Sequence, residues 1–112
     1  MATNKLDLSN LDEVLTSTDK AKGLPNQHYV DQEVFEEEKQ AILFDNWSAI
    51  GTGKDIPNPG DVKPIYFVGM PLIMVRDSDS NINVFQNTCR HRGMILIEEP
   101  GNINGVIRCP YH

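Results

Sequence analysis

The sequence predicts a mainly β protein with one helix ahead of the sheet, a small antiparallel sandwich or barrel. Three observations lead there. Beyond Trp47 the chain breaks into short runs rich in Ile, Val, Phe and Tyr, separated by clusters of Pro, Gly, Asn and Asp. One stretch ahead of them, residues 31–45, carries a helical apolar repeat. A length of 112 residues with 39% apolar composition provides one modest core and no more.

The elements follow in order. Residues 1–30 read as a loosely ordered arm. Ser9-Asn10-Leu11-Asp12 fits a capping box, and Leu11, Val14 and Leu15 provide a short apolar face. Gly23-Leu24-Pro25-Asn26 then breaks the chain. Asp31 can cap a helix running to about Asp45, with Glu33 favoured in its first turn by the helix dipole. Phe35 and Ile42 are spaced to share a face, as are Val34 and Ala41; Glu36, Glu37 and Glu38 form a solvated one. Strands are expected at Trp47–Gly51, Ile65–Val68, Leu72–Arg76, Ile82–Asn87, Ile95–Glu98 and Gly105–Arg108. Ile56–Asp61, Asp77–Asn81 and Pro100–Asn102 carry the turn residues between them.

A net charge of −6 argues against nucleic acid or an anionic membrane surface as a partner. No apolar run approaches the ~18–20 residues of a membrane span. The N-terminal stretch lacks the basic start and apolar core of a secretory signal, so the expected location is cytoplasmic. In that reducing setting the two cysteines, Cys89 and Cys109, suit metal binding or catalysis better than a disulfide.

Each cysteine has a histidine beside it. Cys89 and His91 form C-x-H; after seventeen residues, Cys109 and His112 form C-x₂-H. Each pair follows an expected strand, so two loop tips can meet, each presenting one sulfur and one imidazole nitrogen. Two thiolates and two imidazoles suit a tetrahedral zinc, although the order differs from the usual finger, which pairs like with like. They also suit a cluster of two irons and two sulfides in which two cysteines hold one iron and two histidines the other. Imidazole ligation removes negative charge from such a cluster, which raises its potential and makes it pH-dependent.

CRHRG at 89–93 followed by CPYH at 109–112 resembles the Rieske centre of ring-hydroxylating, non-haem iron oxygenase α subunits. Leu24-Pro25, Tyr29, Phe35, Glu36, Trp47, Pro59-Gly60-Asp61, Pro71–Arg76 and Val84–Cys89 extend the resemblance over residues 24 to 112. It implies an arm over 1–30, a lead-in helix over 31–46 and a Rieske domain over 47–112. It implies a [2Fe–2S] cluster, with Cys89 and Cys109 on the buried iron and His91 and His112 on the exposed one. Respiratory-type Rieske proteins carry two further bridging cysteines that this chain lacks. Arg90 and Arg92 match the oxygenase wording, and their charge would favour the reduced cluster and guide an acidic partner.

In the family a further strand and a larger domain with a mononuclear iron follow CPYH. The resemblance therefore implies a chain truncated within a Rieske domain, incomplete at its C-terminus, that retains its cluster poorly. Full length, it implies a monooxygenase or dioxygenase served by a ferredoxin or flavin-dependent reductase, often as a trimer. Two alternatives stay open at this point: a stand-alone Rieske-type ferredoxin, and a structural Cys₂His₂ zinc module. His28 is expected to be a loop histidine without a role.

Overall fold

The computed structural model describes residues 11–111. The Ser9-Asn10 half of the expected capping box and the expected ligand His112 lie outside the described residues. The chain separates into two compact units, Met1–Ser48 and Ala49–His112.

In the first unit, helix α1 spans Gln27–Val30 and α2 spans Gln32–Glu38. Asp31 caps α2 as expected, its carboxylate accepting from the Glu33 N–H at 2.8 Å and the Val34 N–H at 3.4 Å. The helix does not run on in α form. Lys39–Phe44 continue it with π geometry, which adds a residue to the turn and shifts the seven-residue spacing. Val34 and Ala41 are half-buried, whereas Phe35 and Ile42 are exposed. The Asn46 side chain then donates to the Ala41 and Ile42 carbonyls and ends the segment. His28 lies in α1, with a buried Nε2 that has no hydrogen-bond partner.

The second unit is one open antiparallel sheet, not a closed barrel or a two-sheet sandwich among the described residues. Its strands are β1 (Asp61–Phe67), β2 (Met70–Arg76), β3 (Ile82–Gln86) and β4 (Gly101–Asn102), in the order β3-β2-β1-β4. The β1–β2 hairpin closes through Val68-Gly69, with φ values of +50° and +84°. Positive φ at both positions is the tight turn that matches strand twist, and it normally selects Asn-Gly. Pro64 sits within β1 opposite Ile73, but β4 pairs only with Asp61 and Val62, so no partner on that edge needs the N–H that proline lacks.

Ile56, Val62, Ile73 and Met74 form the core. Ile73 and Met74 are adjacent in β2 and point to opposite faces, so both sides of this central strand are covered. Gly51 lies against the Met74 side; a Cβ there would stand 2.8 Å from the Met74 sulfur. Arg76 fastens this segment to the sheet, donating to the Ile56, Gly53 and Ser80 carbonyls.

Three expected strands do not form. Trp47–Gly51 pairs with no neighbour, and Trp47 is fully exposed. Ile95–Glu98 contributes one isolated bridge, Thr88 to Ile95, because a side chain occupies the backbone groups of Ile97 that a ladder would use. Gly105–Arg108 follows Asn104 and Gly105 at φ +48° and +109°, which turn it out of an extended path. Pro100–Asn102, expected as a turn between those strands, instead supplies β4.

Asp77 organises the β2–β3 turn by accepting from the Asp79 and Asn81 N–H groups and from the Asn83 amide. The Asn81 N–H foremost, with the Asn83 and Asp79 donors, holds its carboxyl below the ordinary range. A carboxyl that titrates lower folded than unfolded stabilises above the unfolded value, and that contribution fades as pH falls through the folded one. The amide resonances of Asp79 and Asn81 are therefore expected to titrate with a midpoint below about 3.9, and Asp77→Asn to abolish the titration; a midpoint at or above that value would contradict the network. In the other hairpin, Val68→Asn replaces a β-branched residue at positive φ and should raise unfolding stability by about 1 kcal/mol in urea titrations.

Candidate metal centre

The first cysteine loop begins where β3 ends. Asn87 is 1% exposed. Its Nδ2 donates to the Ile97 carbonyl at 2.7 Å and its Oδ1 accepts from the Ile97 N–H at 2.9 Å, while its own N–H bonds the Pro71 carbonyl at 2.9 Å. One buried amide therefore closes the loop from 87 to 97 and ties it to β2. Inside it, the Cys89 N–H bonds the Met94 carbonyl and the Gly93 N–H bonds the Cys89 carbonyl, both at 2.8 Å. This tight turn turns the backbone N–H groups of His91 and Arg92 toward the Cys89 sulfur.

The second loop meets the first at its sulfur. Cys109 and Cys89 are both half-buried, border the same groove, and lie close enough for Cys109 to act on the Cys89 thiol. The His91 N–H first, then the Cys109 thiol, and then the Arg92 N–H hold the Cys89 thiol below its ordinary range, against the opposing effect of burial. Thiolate is the form that binds metal, so the loop favours the ligating state in advance. A groove beside the two sulfurs is lined by Ile73, Val84, Phe85, Leu96 and Ile107, with Gln86, Thr88 and Arg90 adding polar groups.

Of the four sequence-predicted ligands, the structure brings the two cysteines together. His91 is exposed at the tip of the first loop, and His112 is outside the described residues. Among the described residues no three His, Cys, Asp or Glu side chains converge on one point as a single metal ion requires. A diiron cluster makes a different demand: it divides its protein ligands two and two. The paired sulfurs, with backbone N–H donors aimed at one of them, fit the cysteine half of that division.

Residues 46–112 match the Rieske [2Fe-2S] domain. The chain belongs to the Rieske family. Among relatives, this Rieske chain is 35% identical over 94 residues to the carnitine monooxygenase oxygenase subunit of Acinetobacter pittii, covering 84% of itself and 25% of that protein. It is 35% identical over 95 residues to the biphenyl dioxygenase subunit alpha of Metapseudomonas furukawaii, covering 84% of itself and 21% of that protein. Among solved structures, a quaternary ammonium Rieske monooxygenase, described for carnitine oxidation by gut microbiota and inter-subunit electron transfer, superposes with a TM-score of 0.76. That match has 35% identity and covers 82% of this chain and 25% of the other. The chain spans about a quarter of the length of the curated relatives it matches. No helix among the described residues is long and apolar enough to cross a membrane.

Two contributors were not visible as such in the sequence. Asn87 stood there as the last residue of a strand; its only signal is a polar residue between an apolar run and a candidate ligand. Arg92 carried a purely electrostatic expectation, yet its guanidinium lies over the Tyr111 ring. Asn87→Ala is expected to destabilise the fold by about 2–4 kcal/mol in urea unfolding, because it strands both the N–H and the C=O of Ile97; a loss under about 0.5 kcal/mol would remove the closing role assigned to this amide.

Proposed function

We propose that this chain is the electron-accepting part of an oxygenase α subunit, binding a [2Fe–2S] cluster through Cys89, Cys109, His91 and His112. The observation that carries the reading is that two cysteines, each with a histidine within three residues, border one groove inside a Rieske domain match. Cys89 and Cys109 would hold one iron; His91 and His112 would hold the second. When bound, the cluster takes up and releases one electron at a potential raised by its neutral imidazole ligands. The chain's own residues prepare that site. The Asn87 amide keeps the first loop closed, and the His91 and Arg92 N–H groups stabilise charge on the Cys89 sulfur. Ile73, Val84, Phe85 and Leu96 contribute apolar surface beside the sulfurs. Arg90 and Arg92 set positive charge at the loop tip of an acidic chain.

In this reading, residues 1–30 are an arm, 31–46 a lead-in helix and 47–112 the cluster-binding domain. The electron passes to a mononuclear iron that lies in another part of a longer protein and supports hydroxylation of an organic substrate. The donor is a ferredoxin or flavin-dependent reductase, and the assembly is a homotrimer in the cytoplasm, whose reducing conditions suit two unbridged thiols. The inter-subunit electron transfer described for the carnitine-oxidising relative supports an oligomer. The relatives named above are oxygenase subunits, which favours this reading over a free-standing Rieske ferredoxin. The match of residues 46–112 to the Rieske [2Fe-2S] domain favours the cluster over a structural zinc.

Anaerobic reconstitution with ferrous iron and sulfide is expected to give about two iron and two sulfide per chain, with visible charge-transfer absorption and an EPR signal on reduction. Cys109→Ser should abolish all three signatures. Uptake of one colourless zinc in preference to iron and sulfide would overturn the assignment.

A further inference from the structure

The two cysteine loops are built differently. The first is closed on itself by the Asn87–Ile97 amide pair, the Cys89–Met94 and Gly93–Cys89 backbone bonds and the Thr88–Ile95 bridge. The second leaves the sheet after β4. The Ile103 N–H still bonds the Gly60 carbonyl at 3.0 Å, and the Asn104 N–H bonds the Asn102 side chain at 3.1 Å. From Gly105 to Tyr111 the backbone is neither helix nor strand.

Contacts that tie this second loop to the first among the described residues include two beside the sulfurs. One is Cys109 with Cys89. The other joins Arg92 and Tyr111: the guanidinium lies 4.7 Å from the centre of the phenol ring, and Arg92 Nη1 donates to the Tyr111 hydroxyl. Stacking and hydrogen bond together orient a planar group in two ways at once, which neither contact does alone.

We infer that Arg92 and Tyr111 form an interloop latch that positions Cys109 against Cys89. Arg92 stands three residues beyond Cys89 and Tyr111 two beyond Cys109, so the latch lies on the histidine side of both sulfurs. His91 immediately precedes Arg92 and His112 immediately follows Tyr111. Fixing those two side chains to each other therefore restrains both histidine-bearing stretches by chain connectivity. A loop without ladder hydrogen bonds otherwise spreads over many conformers, most of which separate the sulfurs. The latch acts through the loops and touches no reacting atom; Arg92 and Tyr111 are positioning residues. The inference rests on the proposed function only in its consequence for a cluster, because the proximity of the thiols can be read without iron.

The test uses the reduced, iron-free chain and phenylarsine oxide, whose trivalent arsenic forms two As–S bonds with neighbouring thiols and releases its oxygen as water. Wild type is expected to bind tightly. Arg92→Ala and Tyr111→Leu should each weaken binding roughly tenfold, and the double variant no further. Tyr111→Phe keeps the ring beneath the guanidinium and should recover part of the loss. Lys54→Ala, which removes one exposed positive charge outside both cysteine loops, should bind as wild type. Amide spectra of β1–β3 unchanged across the set separate loop positioning from general unfolding. Wild-type affinity in both Arg92→Ala and Tyr111→Leu, or losses that simply add in the double variant, would overturn the latch. Should arsenical binding follow the expected pattern while iron and sulfide fail to load, the latch stands and the cluster assignment falls.

Discussion

The two hydrogen bonds between the Asn87 side chain and the Ile97 backbone are the constraint on which the rest of the site depends. A buried amide can satisfy both a backbone donor and a backbone acceptor, and it does so here almost out of reach of water, where an unmade bond costs most. This pairing substitutes for a strand ladder and explains why residues 95–98, apolar enough for a strand, stay irregular. It also fixes where the chain emerges from β3. Cys89, two residues on, then points its sulfur into a turn whose N–H groups converge on it. A hydrophobic residue at position 87 would strand the Ile97 groups; aspartate would keep one bond and set a carboxylate against the Ile97 carbonyl.

The sheet is a platform for that loop more than a container. Its central strand β2 is covered on both faces, and Arg76 at its end fastens the 53–56 segment and the next turn to the same point. Pro71, at the start of β2, accepts from the Asn87 backbone N–H. The rigid centre of the molecule and the first cysteine are thus one hydrogen bond and two residues apart. The second cysteine has no comparable footing. It depends on β4, two residues long, and on side-chain contacts made across to the first loop.

The sequence was legible where a single local rule decides the outcome. Asp31 capped its helix because an Asp before a charged helix start has one inexpensive conformation. The Asp77–Asn81 turn and the β2–β3 hairpin followed from apolar runs and turn residues, whereas β1 begins at Asp61, inside the expected connection, and Val68, expected in a strand, stands in the turn. The Cys-x-His and Cys-x₂-His pairs pointed to loop tips, and the cysteines do meet. What failed was everything decided by long-range competition for backbone groups. Ile95–Glu98 and Gly105–Arg108 have strand composition, but no neighbouring strand takes up their N–H and C=O groups. The π-helical turn at Lys39–Phe44 left no signature in a seven-residue apolar spacing. Arg92 read as a surface charge because nothing in its local sequence announces an aromatic partner nineteen positions away.

β3 has a further physical consequence. It forms one margin of the sheet, and Ile82, Val84 and Phe85 along it are roughly half exposed. Its outward backbone groups have no ladder partner among the described residues, and this margin carries neither lysine nor proline to repel an incoming strand. Left uncovered, such a margin is a template on which the strand of another chain segment can pair.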